Sequence, residues 1–100
     1  MKKILSTMLL VVLMTSTALA HTLFMNVNDN EDGSVTIEGM YSTGAIASDT
    51  EVRLEGADGK ILIRDRTDDD GEFEFKKPAE PYTITLDAGP GHIVTEEGPQ

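Results

Sequence analysis

The chain has 100 residues, with 18 acidic and eight basic side chains, a net charge of −10 and no cysteine. This excess of negative charge argues against binding to nucleic acid or to an anionic membrane surface. The lack of cysteine excludes disulfide bonds, a thiol nucleophile and a lipid anchor on a processed cysteine within this sequence.

Residues 1–20 have the three parts of a secretory signal peptide. Two lysines precede a mostly apolar run over residues 4–14, and Ala-Leu-Ala at residues 18–20 is the small-x-small pattern that signal peptidase accepts. The apolar run is too short for a membrane-spanning helix, which needs about 20 apolar residues. The sequence therefore predicts cleavage after Ala20, a soluble mature protein that begins at His21, and a periplasmic or secreted location.

The predicted mature protein is small and more acidic than the precursor. Loss of the two signal-peptide lysines leaves six basic residues against 18 acidic ones, a net charge of −12. A chain of this size forms one domain and buries only about 60–65% of its unfolded surface. We expect this domain to span residues 21–95, followed by a polar, frayed tail over residues 96–100.

Seven runs of period-two alternation, separated by turn residues, follow one another along the mature chain, and no stretch shows sustained helical periodicity. Polar turns are predicted at residues 29–33, 57–59 and 68–71. Seven short strands at this spacing predict an all-β fold, a seven-stranded antiparallel β-sandwich of the transthyretin or immunoglobulin-like type. The strands are marked, in chain order, by Leu23, Met25 and Val27; Val35 and Ile37; Val52 and Leu54; Ile61 and Ile63; Phe73 and Phe75; Tyr82, Ile84 and Leu86; and a weaker run from His92 to Thr95.

The strand count predicts which loops share one end of the sandwich. If every connection reverses the chain direction, the first, third, fifth and seventh strands run the same way. His21 begins the first strand and His92 begins the seventh, so both are expected at one end. The loop at residues 42–50 and the turn at residues 68–71 are expected at that end as well.

His21 and His92 are the candidate metal ligands. After cleavage, the free α-amine of His21 and its ring Nδ1 can close a chelate ring on one ion. A third nitrogen from His92 completes a T-shaped set, a histidine brace that suits Cu(II) or Ni(II). Amines with ordinary pKa values near 7.7–8.0 and imidazoles near 6.5 lose their protons near neutral pH when a metal competes. The alternative is that His21 is simply the residue that follows the cleavage site.

One acidic stretch resembles a calcium-binding loop, but its residues do not have the ligand spacing of such a loop. Asp68-Asp69-Asp70-Gly71-Glu72 places Arg66 where the first ligand of the calcium-loop pattern belongs. The stretch is therefore predicted to be a solvated hairpin turn. Asp49 or Asp68 remains a candidate outer carboxylate for a metal at that end.

The sequence lacks the motifs of the common catalytic sites. It has no Gly-x-Ser-x-Gly elbow and no phosphate-binding glycine loop, and about 80 residues leave little room for a substrate pocket. We therefore expect a protein that is not an enzyme. Met25 and Met40 offer thioethers that favour Cu(I), but methionine in a strand pattern more often fills the core.

The second half of the mature chain resembles a known domain family. The segments Thr67–Phe75 and Pro81–Ile84 resemble the carboxypeptidase regulatory-like domain. That family has a transthyretin-like sandwich of seven strands and is usually without catalytic activity. The resemblance thus implies the same fold class as the strand pattern.

A narrower resemblance covers nearly all of the mature chain. His21, the segment Glu38–Tyr41, the turn Thr67–Phe73 and the segment Asp87–His92 resemble small exported proteins associated with bacterial nickel and cobalt uptake transporters of the energy-coupling type. The resemblance implies metal handling outside the cytoplasmic membrane, with the two histidines as ligands. Tyr41 matches the pattern, and no role is implied for it. The sequence has no anchor after His92, which argues against fixed attachment to a transporter.

Three functions are compatible with these observations. The first is a periplasmic metal-binding accessory that captures nickel, cobalt or copper through His21 and His92 and passes the ion to a membrane transporter. The second is a structural or protein-interaction module without a metal site. The third is a small oxidase with a copper brace. With only five aromatic residues and no evident flat binding face, the sequence argues against the third.

Overall fold

A computed structural model describes residues 22–100 of the protein. The predicted signal peptide, its cleavage site and His21 lie outside the described residues. Residues 22–100 contain seven β-strands and no helix, and therefore no helix that could span a membrane. The strands are β1 (Leu23–Asp29), β2 (Ser34–Tyr41), β3 (Glu51–Gly56), β4 (Ile61–Arg66), β5 (Glu72–Lys76), β6 (Tyr82–Asp87) and β7 (Ile93–Glu97).

The strands form two antiparallel sheets. The first, sheet A, has the order β1-β2-β5, and the second, sheet B, has the order β4-β3-β6-β7. The edge strands β1 and β7 are in contact across the two sheets. The predicted all-β architecture of seven antiparallel strands in a sandwich-like arrangement is confirmed. The first six predicted runs of alternation lie on the observed strands. The seventh strand begins at Ile93, so His92 lies in the turn before β7 and does not begin the strand as predicted.

The core lies between the sheets and follows the period-two alternation of the central strands. Val35 and Ile37 of β2 and Val52 and Leu54 of β3 are completely buried, while their neighbours in the chain are partly exposed. Each such side chain contributes about 1.5–3 kcal/mol through removal from water. The buried apolar residues are Leu23, Met25, Val35, Ile37, Ala47, Val52, Leu54, Phe75, Tyr82, Ile84 and Leu86.

The end of β7 and the turn at residues 68–71 differ from the sequence prediction. The strand β7 runs two residues into the predicted tail, because Glu96 pairs with Ile84 and Glu97 with Thr83. A sheet ladder uses backbone groups, so an edge strand accepts charged side chains that remain in water. The turn at residues 68–71 is also not a hairpin, since β4 and β5 belong to different sheets. It is the crossover between the sheets.

The lack of a side chain at Gly39 allows β2 to approach its neighbours closely. A Cβ atom built on Gly39 would lie 2.6 Å from Leu86 Cδ2 and 3.1 Å from Ala47 Cβ. The backbone of Gly39 also joins two loops, because its N–H donates to the Gly71 carbonyl (2.8 Å) and its carbonyl accepts from the Ala47 N–H (3.0 Å). A larger residue at position 39 would separate these groups.

We expect Gly39→Ala to destabilise the protein by about 1–2 kcal/mol, because overpacking outweighs the backbone advantage of alanine in a strand. Urea unfolding of the mature protein and the variant measures the difference. In a Leu86→Val background, which removes the nearest carbon atom, the cost of Gly39→Ala should fall. An equal cost in both backgrounds would contradict the close contact with Leu86.

Candidate metal site

His92 lies at the end of the sandwich where β1, β3, β5 and β7 begin. We call this the histidine end. The ladder pairs Leu23–Tyr41 in sheet A and Asp87–Ile93 in sheet B mark it. The loop at residues 42–50 and the turn at 68–71 meet there, because the Asp49 N–H donates to the Thr67 carbonyl at 3.1 Å. The expected grouping of these loops with His92 is confirmed.

A tight turn between β6 and β7 positions His92. The His92 N–H donates to the Gly89 carbonyl at 2.9 Å, and Gly91 has a φ of +83°. Proline at the second position and a positive φ at the third are the features of a type II turn, which Pro90-Gly91 satisfies. The Ala88 N–H then donates to the His92 carbonyl at 2.9 Å. The backbone of His92 is thus held on both sides of its side chain.

An ion-pair network on the outer face of sheet B fixes the start of this turn. Asp87 Oδ1 accepts from the Gly89 N–H at 2.9 Å, and Asp87 Oδ2 accepts from Arg53 Nη1 at 2.9 Å. Arg53 also pairs with Glu51 and Glu55. The hydrogen bond from Arg53, followed by that from Gly89, holds the pKa of Asp87 below its ordinary value, and the same pairing raises the pKa of Arg53.

The His92 imidazole packs against Tyr41 and leaves one nitrogen unpaired. The two rings meet edge to face, with centroids 6.2 Å apart and an interplanar angle of 82°. His92 Nδ1 is buried and has no hydrogen-bond partner among residues 22–100. A buried polar atom without a partner costs about 1–3 kcal/mol. In folded proteins such atoms are usually satisfied by an ordered water, an ion or a further group.

The chain enters the sandwich beside Tyr41. The Thr22 N–H donates to Ser42 Oγ at 3.1 Å, and the Ser42 N–H donates to the Thr22 carbonyl at 2.8 Å. These bonds fix the backbone that directly follows His21 next to the residue that contacts His92. His21 itself lies outside the described residues, so the two-histidine site stays a prediction.

Of the other predicted ligands, all but Met40 are engaged elsewhere. Met25 is part of the core, as the strand pattern favoured, and Met40 is half-buried on the outer face of sheet A. Asp49 pairs with Arg66 at 2.8 Å. Asp68 Oδ1 accepts two backbone N–H groups of its own turn, both at 2.9 Å, as expected for a turn rather than a calcium site.

Within residues 22–100, no group of three or more histidine, aspartate or glutamate side chains is arranged to hold a metal ion.

A cavity of about 450 Å³ lies at the opposite end of the sandwich, away from His92. The Tyr82 hydroxyl is buried without a described partner, and burial followed by the charge of Asp29 raises its pKa. The cavity is lined in part by Glu55, Gly56, Tyr82, Glu97 and Gly98.

Sequence reasoning missed the network around Arg53. Its signal was the alternation of Glu51, Arg53 and Glu55, which places three charges on the outer face of one strand. The partner Asp87 can be identified only when β6 is placed beside β3 in register, with Arg53 opposite Thr85 and Glu51 opposite Asp87.

Comparisons of the chain with protein families, with curated proteins and with solved structures give no match.

We expect Arg53→Met to raise the pKa of Asp87 and to lower the free energy of unfolding at pH 7 by about 2 kcal/mol. A carboxyl with a lowered pKa stabilises the fold at pH values above its ordinary pKa of 3.8. It loses that contribution as the pH falls through the lowered pKa. The loss should therefore shrink at about pH 2. NMR titration of the Asp87 carboxyl and urea unfolding at both pH values measure these effects.

Arg64→Met is the matched control. Arg64 lies on the neighbouring strand, is more exposed than Arg53, and approaches Glu51 only at 3.9 Å. Exposed pairs contribute about 0–1 kcal/mol, so this change should be nearly neutral. Equal losses in the two variants would show that the effect reflects overall charge and not the Arg53 network.

Proposed function

We propose that this protein is a non-catalytic, metal-binding accessory that acts outside the cytoplasmic membrane. It captures nickel, cobalt or copper as cargo through the His21 amine, the His21 ring and His92, and supports uptake by a membrane transporter. The observation that carries the proposal is the buried His92 Nδ1, which has no described partner at the end of the sandwich where the chain enters.

The contacts around His92 suit a role for its side chain as a metal ligand. The turn at Gly89–His92 holds its backbone, and Tyr41 limits the rotation of its ring. A ligand with restricted motion loses less entropy on binding a metal than a flexible one. The backbone of Thr22 is held by two hydrogen bonds to Ser42, and His21 is joined to Thr22 by a peptide bond. The proposal requires His21 to continue the inward alternation of Leu23 and Met25.

Three nitrogens would leave part of the coordination sphere open. An accessory that releases its ion must not enclose it, and an incomplete set of protein ligands permits exchange. The net charge of −12 on the predicted mature chain raises the local concentration of cations. The ligands do not distinguish among the three metals by type, since nitrogen donors suit each of them.

The alternative is a protein-interaction module without a metal site. The observation that favours it is the pair of large apolar side chains exposed on sheet A and its adjoining loop, Phe24 (51% exposed) and Ile46 (53% exposed). Exposed apolar groups that lie together often mark a binding surface. The two functions differ in whether the mature protein binds metal at all.

We expect the protein that begins at His21 to bind Cu(II) and Ni(II) at least about 100-fold more tightly than a version that retains Ala20, because loss of an outer-shell partner alone costs 10–100-fold. Calorimetric titration measures both affinities, and electron paramagnetic resonance of the Cu(II) form reports the number of nitrogen ligands. Equal binding in the two versions would refute the amino-terminal brace. Absence of binding in both would favour the interaction module.

His92→Phe tests the third nitrogen, because phenylalanine keeps a ring against Tyr41 and removes both ring nitrogens. We expect a loss of at least about tenfold in affinity, with one nitrogen fewer in the Cu(II) spectrum. Ile93→Ala, at the next residue, is the matched control and should bind as the parent does, since Ile93 is exposed and offers no ligand. A parent-like affinity in His92→Phe would exclude His92 as a ligand.

Metal affinity should fall as the pH is lowered from about 8 to 5.5, because the amine and the imidazoles must lose their protons before they bind. The mature protein should also release protons on metal binding, measurable from the dependence of the calorimetric heat on buffer ionisation. A pH-independent affinity across this range would exclude nitrogen ligands of this kind.

A further inference from the structure

A row of apolar side chains crosses the outer face of sheet A near the histidine end. Phe24 lies directly opposite Met40 in the β1–β2 ladder, and an isolated bridge places Ile46 opposite Met40 on the other side. Directly opposite residues project from the same face of a sheet. Leu23, Gly39 and Ala47, which alternate with these three, are buried. Phe24, Met40 and Ile46 therefore face outward, and we call them the apolar row.

A row of polar and acidic side chains lies beside the apolar row. Asn26, Glu38 and Glu72 are paired across β1, β2 and β5, two residues further along each ladder. They line most of a shallow groove of about 290 Å³. Two carboxylates directly opposite each other repel, and neither Glu38 nor Glu72 has a cationic partner among the described ion pairs.

The unbalanced charge continues along this face. Glu74 is the next outward residue of β5 and also has no cationic partner among residues 22–100. The outward Lys76 of β5 lies at the far end of the face, opposite Ser34. The face thus combines exposed apolar carbon with carboxylates whose charge is not neutralised within the described chain.

The spacing of the two rows selects a shape of partner. Residues on one face of a strand repeat every two positions, about 7 Å apart. An extended segment laid along the strands presents its own side chains with the same repeat. An apolar side chain on the apolar row would then be followed, two residues later, by a side chain over Glu38 and Glu72. A lysine or arginine at that position would meet the two carboxylates.

We propose that the outer face of sheet A docks an extended protein segment with an apolar side chain followed two residues later by a basic one. Complementary charge selects this occupant. A second copy of the chain carries the same excess of acidic groups and is repelled, and an anionic lipid surface is repelled for the same reason. The proposal goes beyond metal capture and does not depend on a metal site.

The test is an NMR titration of the labelled mature protein with a capped peptide of the pattern Leu-Thr-Lys-Thr-Lys. We expect weak binding, on the order of 1 mM, with chemical-shift changes at Phe24, Glu38, Met40, Ile46 and Glu72 and an affinity that falls with added salt. Ile46→Ser should weaken binding by about fivefold or more. The matched control is Ile93→Ser, since Ile93 is equally exposed (53%) but lies on sheet B.

The charge arm uses two double variants of equal net charge. Glu38→Gln with Glu72→Gln should weaken binding by about fivefold, because the local carboxylates are removed. Glu80→Gln with Glu96→Gln, two exposed carboxylates elsewhere, should change it little. Equal effects in the two double variants would overturn the proposal, as would equal binding of a peptide with glutamate in place of lysine.

Two further results would assign the face to another occupant and so overturn the proposal. One is a dimer in analytical ultracentrifugation that Ile46→Ser dissociates and Ile93→Ser does not. The other is binding to phosphatidylcholine vesicles that Ile46→Ser abolishes. Circular dichroism of every variant confirms that a loss of binding is not a loss of folding.

Discussion

The contact between Gly39 and Leu86 is the constraint on which the histidine end depends. Without a side chain at position 39, β2 approaches Leu86 of the opposite sheet and Ala47 of the loop that follows β2. The same residue binds the Ala47 N–H and the Gly71 carbonyl through its backbone. One glycine thus joins both sheets, the loop at 42–50 and the crossover turn. Tyr41, two residues further along β2, is thereby held where it contacts His92.

Most of the fold could be predicted because each strand carries its own period-two signal. Apolar residues two positions apart face the core, as the burial of Val35 and Ile37 in β2 and of Val52 and Leu54 in β3 shows. The partition of strands between sheets has no such local signal. Whether the turn at 68–71 closes a hairpin or crosses between sheets depends on which strand β5 pairs with, a contact distant in sequence. The sequence does not reveal the full extent of β7, because Glu96 and Glu97 resemble a solvated tail, whereas a ladder needs only their backbone groups.

The candidate site was predictable to a different depth at each residue. Pro90 and Gly91 indicate a tight turn, and the structure has one that places His92 at the head of β7. The contact of His92 with Tyr41 could not be predicted, because it depends on how the two sheets pack against each other. The link from Arg53 through Asp87 to the turn depends on the β3–β6 register in the same way.

The carboxylates on the two outer faces of the sandwich differ in whether they have cationic partners, and this difference favours sheet A as the binding surface. On sheet B, Arg53 pairs with Glu51, Glu55 and Asp87, so each of these carboxylates has a cationic partner within the protein. On sheet A, Glu38 and Glu72 are opposite each other without such compensation. Their repulsion reduces stability in the isolated protein, and a cationic partner would relieve it. A face whose charge repulsion is relieved by a bound partner is suited to binding.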